Sequence, residues 1–104
     1  MSRVKELPLE DRPREKLVLR GAQSLTDAEL LAILLRTGTK GKSVIKVAQD
    51  LIDSEGNLAV LATKTPFVLK KQKGVGKDKA ATLLAAFEIS RRILHQSKWF
   101  SNKK

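Results

Sequence analysis

The chain contains no cysteine. Disulfides and thiolate metal sites are therefore excluded, and the composition suits a reducing, cytoplasmic setting. Aromatic side chains are scarce: Phe67, Phe87, Trp99 and Phe100 are the whole complement, with no tyrosine. A core must then be built from leucine, isoleucine, valine and alanine. The longest apolar run is Leu30-Leu31-Ala32-Ile33-Leu34-Leu35, far short of the roughly 20 residues that span a bilayer. Met1 to Glu10 holds no stretch of signal-peptide length. No membrane partner is expected. Histidine occurs once, as His95. A metal or catalytic role there would need partners that the sequence does not supply, so neither a metal nor a cofactor is expected.

Acidic residues are also few. Lysine and arginine total 21 against 11 carboxylates, a net charge of +10 in 104 residues. That balance favours a polyanionic partner, nucleic acid above all, over a surface that is basic only for solubility. The charge is clustered as well. No carboxylate occurs from Thr37 to Gln49, where Lys40, Lys42 and Lys46 lie, and none from Gly56 to Lys77, where Lys64, Lys70, Lys71, Lys73 and Lys77 lie.

The length fits a single domain. Residues 1–11 lack periodicity and read as an arm, residues 12–96 as a helical core, and residues 97–104 as a basic tail. Arg12-Pro13 opens a short helix, because proline suits the first helical position, and Gly21 closes it. Thr26-Asp27-Ala28-Glu29 has the form of a capping box. The helix after it is apolar nearly all round and should be the central one. Val44, Val47, Ala48, Leu51 and Ile52 recur at helical spacing. Gly56 and Asn57 end that helix, and Leu58 to Ala62 suggests one or two further turns. Thr65-Pro66 opens a short helix to about Lys71. The last helix is expected from about Lys77 to His95, with Ala80, Leu83, Leu84, Phe87 and Leu94 inward and His95 near its terminal carbonyls. No useful segment alternates with period two, so the expected class is all-α, a compact bundle of about five short helices.

Between the last two helices lies Lys73-Gly74-Val75-Gly76-Lys77, followed by Ala80. Short helix, glycine-hydrophobic-glycine and long helix together resemble a helix-hairpin-helix motif. Glycines open backbone conformations closed to other residues and remove side chains from the surface. A phosphate can then meet the amides of the turn and the helix N-terminus directly. Val75 should anchor the turn, and the small Ala80 should let the helices cross closely. Gly74, Val75, Gly76, Lys77 and Lys79 are the expected phosphate grip, with Lys71 and Lys73 beside it. Such contacts hold a backbone without reading bases. Gln72 departs from the motif, which usually has an apolar residue there. The alternative is an ordinary helix-turn-helix corner with a glycine cap.

Gly38 to Lys42 forms a second glycine turn in a similar frame. A degenerate tandem hairpin and a coincidence between two corners both remain open. Arg36, Lys40, Gly41 and Lys42 are second-line DNA contacts. A nucleotide-binding P-loop is ruled out, since its first glycine would fall where Arg36 stands and no strand precedes the turn. Asp50 with Asp53, and Asp27 with Glu29, read as solvated or capping groups, not an acid/base pair. Ser43 and Ser90 lack the surroundings of a nucleophile. Trp99 and Phe100 beside Lys98 either stack on bases or cover apolar surface.

Arg12 to Leu17 and the ungapped run from Leu25 to Val44, followed by the hairpin, resemble the RadC family (UPF0758) over roughly residues 5 to 95. The resemblance implies a bacterial origin, a SAM/RuvA domain 2-like helical domain and a historical link to DNA repair. It also implies a C-terminal JAB1/MPN metalloprotease-like domain with a His-x-His metal site. A single histidine leaves that domain absent here, so the expectation is an isolated or truncated N-terminal domain, itself not an enzyme. Two functions stay open: a non-sequence-specific DNA-backbone binder, with single-stranded or branched DNA among its partners, or an interaction domain serving the absent catalytic domain.

Overall fold

A computed structural model describes residues 7, 8 and 11–102, with side chains through Ser97. Most of the expected arm therefore lies outside the described residues. So do the side chains of Trp99 and Phe100. The described chain is all-α: six helices and a short 3-10 turn, with no strand beyond one isolated β-bridge.

Local chemistry sets most helix boundaries. α1 (Pro13–Arg20) starts on proline and stops at Gly21, whose φ of 89° few other residues adopt. The 3-10 turn Ala22–Ser24, which carries no strong sequence signal, leads to α2 (Asp27–Leu35). At its start the Glu29 amide donates to the Thr26 hydroxyl at 3.1 Å, and the Thr26 amide donates to the Glu29 carboxylate at 2.9 Å. Lys16 of α1 reaches the same carboxylate at 3.2 Å. Burial pushes the Glu29 carboxyl up, but the Thr26 amide and the Lys16 ammonium outweigh it, and the group sits below its ordinary range. Thr26→Ala is expected to cost about 1 kcal/mol and to lower the Tm by roughly 4–8 °C in a thermal melt.

α3 (Val44–Glu55) is capped by the Ser43 hydroxyl, α4 (Leu58–Leu61) by the Asn57 side chain and α5 (Pro66–Leu69) by Thr65. α6 runs from Lys77 to Asn102, 26 residues or about 39 Å.

α2 lies at the centre, packed against α1, α3 and α6, while α5 packs on α6. Ala28, Leu31, Ala32 and Leu35 of α2 meet Val44, Val47, Ala48, Leu51 and Ile52 of α3. Leu61, Leu69, Val75, Ala80 and Leu83 complete the core. The fully buried leucines each contribute about 1.5–3 kcal/mol by leaving water.

Two expectations need correction. α6 does not stop near His95, because neither glycine nor proline follows. His95 is exposed within the helix and does not meet terminal carbonyls. Leu94 does not face inward either. It is 66% exposed, as are much of Ile89 and Ile93, because α6 outruns the core after Phe87.

Candidate nucleic-acid interface

The hairpin is built by its neighbours. Leu69 and Val75, both buried, pin the chain on either side of the turn. The Val75 amide donates to the Gln72 carbonyl at 3.0 Å, which closes the turn over Lys73 and Gly74. Gln72 is half-buried; its backbone serves the turn from both ends, since its amide donates to Leu69. Gly74 has φ of 95°, and a Cβ there would lie 3.2 Å from Val47 and 3.3 Å from Thr39. A side chain at position 74 would therefore be strained by that φ and would press on Val47 and Thr39.

Gly76 is different. Its backbone lies outside the left-handed region, and a Cβ there would meet nothing within 4 Å. Its carbonyl accepts the first helical hydrogen bond of α6, from Ala80. The exposed start of α6 therefore combines free amides, the positive end of the helix dipole and Lys77. Asp78 is the one carboxylate in that first turn.

The second glycine turn lies against the first. Thr39 and Lys42 exchange backbone hydrogen bonds of 3.0 and 2.9 Å, leaving Lys40 and Gly41 at an exposed tip. Gly41 takes φ of 79°, as the third residue of a type II turn requires. Gly38 sits tightly below: a Cβ there would fall 2.2 Å from the Lys42 carbonyl oxygen. Before it the chain reverses at Arg36, with φ of 70° and ψ of −47°. The Thr37 amide donates to the Leu35 carbonyl at 2.8 Å. This is a γ-turn with positive φ, a strained arrangement for arginine.

Lys79 joins the two turns. Its ammonium donates to the Thr37 carbonyl and, at 2.9 Å, to the Thr37 hydroxyl. Partial burial and then the nearby Arg36 charge hold Lys79 below the usual lysine range. Lys79 is thus a tie between the turns as well as a cation. Lys42 is engaged too, at 2.8 Å from Asp50, which Lys46 also reaches at 2.9 Å. Those hydrogen bonds, Lys42 first, hold Asp50 below its ordinary range. Lys71 lies over the Phe67 ring, 5.0 Å from its centroid. Among the described residues no carboxylate pairs with Arg36, Lys40, Lys73 or Lys77, and all four are exposed.

The arrangement thus brings the two predicted sets of residues together through Gly74–Thr39 and Lys79–Thr37. Phe67 and Thr37 carried no weight in the sequence. The spacing of Phe67 and Lys71, four apart across a helix end, was the one available sign of the first. Among the described residues no cluster of histidines and carboxylates could hold a metal ion, and no helix is long and apolar enough to cross a membrane.

The family model described as UPF0758 N-terminal matches residues 4–81. The chain belongs to the UPF0758 family. Among its relatives, a UPF0758 protein of Polaromonas sp. is 50% identical over 91 residues, covering 88% of this chain and 41% of its own length. One from Moorella thermoacetica is 52% identical over 90 residues, covering 86% and 39%. One from Geobacillus thermodenitrificans is 47% identical over 94 residues, covering 90% and 41%. This UPF0758 chain therefore spans about two fifths of the length of the curated relatives it matches. No solved structure matches it significantly. The model match takes in both glycine turns and the start of α6, so the candidate interface belongs to the family's N-terminal region.

Proposed function

We propose that this UPF0758 domain is a non-enzymatic module that grips the DNA backbone without reading its sequence, in the cytoplasm and in the service of DNA repair. The observation that carries the reading is the pairing of two glycine turns, bordered by Arg36, Lys40, Lys73 and Lys77, at the start of a long helix. Backbone amides and the helix dipole favour a phosphate oxygen at that place. The surrounding cations release counterions on binding, which makes the affinity steeply salt-dependent.

Gly76 separates this reading from a merely structural corner. Nothing in the fold excludes a methyl group at that position. Gly76→Ala is expected to leave the thermal midpoint within a few degrees, since an exposed change of this kind costs roughly 0.5 kcal/mol or less. DNA affinity should nevertheless drop roughly tenfold, because the methyl group stands where a phosphate must approach the backbone. Fluorescence anisotropy with a labelled duplex at two salt concentrations reads both the affinity and its salt slope. Full affinity in Gly76→Ala would remove the hairpin from the interface.

A second reading is a docking domain for the catalytic part of a longer protein. Ile89, Ile93 and Leu94, 58%, 57% and 66% exposed on the part of α6 that leaves the core, favour it. Absence of DNA binding at low salt, by a folded sample, selects this reading over the first.

A further inference from the structure

Phe67 is the one aromatic that stands exposed among those whose side chains are described. It lies on a four-residue helix whose inward anchor is Leu69, and the residue is 70% exposed. Phe87, the other aromatic whose side chain is described, is half-buried against the core. The Lys71 ammonium sits 5.0 Å from the Phe67 ring centroid, a cation–π contact that keeps one charge beside the ring. Lys70 and Lys73 flank it in a stretch from Gly56 to Lys77 with no carboxylate. Lys71 also leads directly into the hairpin turn at Gln72 to Val75.

We infer that Phe67 is a stacking platform for an unpaired base of DNA, next to the phosphates held by the hairpin. The inference rests on the backbone-binding reading above and names its substrate class: DNA with single-stranded or frayed bases in preference to intact duplex. An exposed phenyl ring offers a π-face to any base whatever its sequence, provided that the base is not already stacked within a helix. A lysine at the ring then neutralises the phosphate that the unstacked nucleotide brings along. In a duplex the bases are covered, and Phe67 has nothing to stack on.

The test compares the whole chain with Phe67→Ala, Phe67→Trp and the double variant Lys73→Glu/Lys77→Glu. Each is titrated against a fluorescent single strand and a duplex of the same length. A single strand carrying 2-aminopurine reports stacking directly. Phe67→Ala should lose roughly tenfold or more on the single strand, keep its duplex affinity within about twofold and abolish the 2-aminopurine response. Phe67→Trp should retain both. Equal loss on both ligands, or no loss on either, overturns the stacking role, as does absence of single-strand binding by the unsubstituted chain. The double variant keeps the two readings apart. If it loses all binding while Phe67→Ala behaves as the parent, the hairpin grip stands and the platform falls. If it binds normally, the grip itself falls.

Discussion

Changing Lys73 and Lys77 together to glutamate is expected to weaken binding to a DNA duplex by roughly a hundredfold at low salt, and to reduce the salt slope by about two. Both side chains are exposed and neither is paired with a carboxylate among the described residues. The fold should therefore survive, with the helical circular dichroism and the thermal midpoint close to those of the parent. Lys79 is a poorer choice for the same experiment. Its ammonium holds Thr37, so its reversal would disturb the junction of the two turns and confuse lost contact with lost structure. Anisotropy at two salt concentrations decides the matter. A folded double variant with the parent's affinity and slope would place the nucleic-acid surface elsewhere.

Gly38→Ala should be the most damaging single methyl group in the connection between α2 and α3. The added carbon would fall 2.2 Å from the Lys42 carbonyl oxygen and 2.7 Å from the Ser43 carbonyl carbon and Val44 nitrogen. All three are backbone atoms, so no side chain can swing aside. The bridge between Thr39 and Lys42 must open or the start of α3 must move. A loss of about 3 kcal/mol is expected, which lowers the Tm by roughly 12–24 °C in a domain of this size. Gly41→Ala, by contrast, meets no atoms within 4 Å. Its cost is confined to the strain of a positive φ, about 1 kcal/mol. A thermal melt of the two variants side by side checks the order; a milder effect at Gly38 than at Gly41 would contradict the packing described.

Much of the fold was readable from residue chemistry because it is local. Thr26 with Glu29, and Thr65 with Val68, mark helix starts through bonds that span three residues. Val44, Val47, Ala48, Leu51 and Ile52, the five positions of α3 picked out by their spacing, are all buried. What escaped depends on distance or on weak signals. The length of α6 escaped because Gln96, Ser97 and Lys98 neither stop a helix nor demand one. The exposure of Leu94 follows from where the partner helices end, which no periodicity within α6 records. Among the candidate contacts, the glycines and lysines were legible as types. That Lys46 meets Asp50 was within reach of a helical-face argument, since the two lie four apart on α3. That Lys79 meets Thr37, across 42 residues, was not.

The same long-range tie makes the candidate interface a property of the whole domain. Gly74 rests on Thr39 and Val47, and Lys79 is fastened to Thr37. A peptide holding only α5, the hairpin and α6 would have the motif's letters without the support that positions them. Such contacts of high sequence separation form only once the intervening chain has been gathered in. Any ligand held at these turns would consequently be linked to folding. DNA at a hundred times its dissociation constant would add about 2.7 kcal/mol to the stability of the domain. A destabilising change far from the turns would then weaken binding wherever unfolding is appreciable, simply by depleting the folded population able to bind.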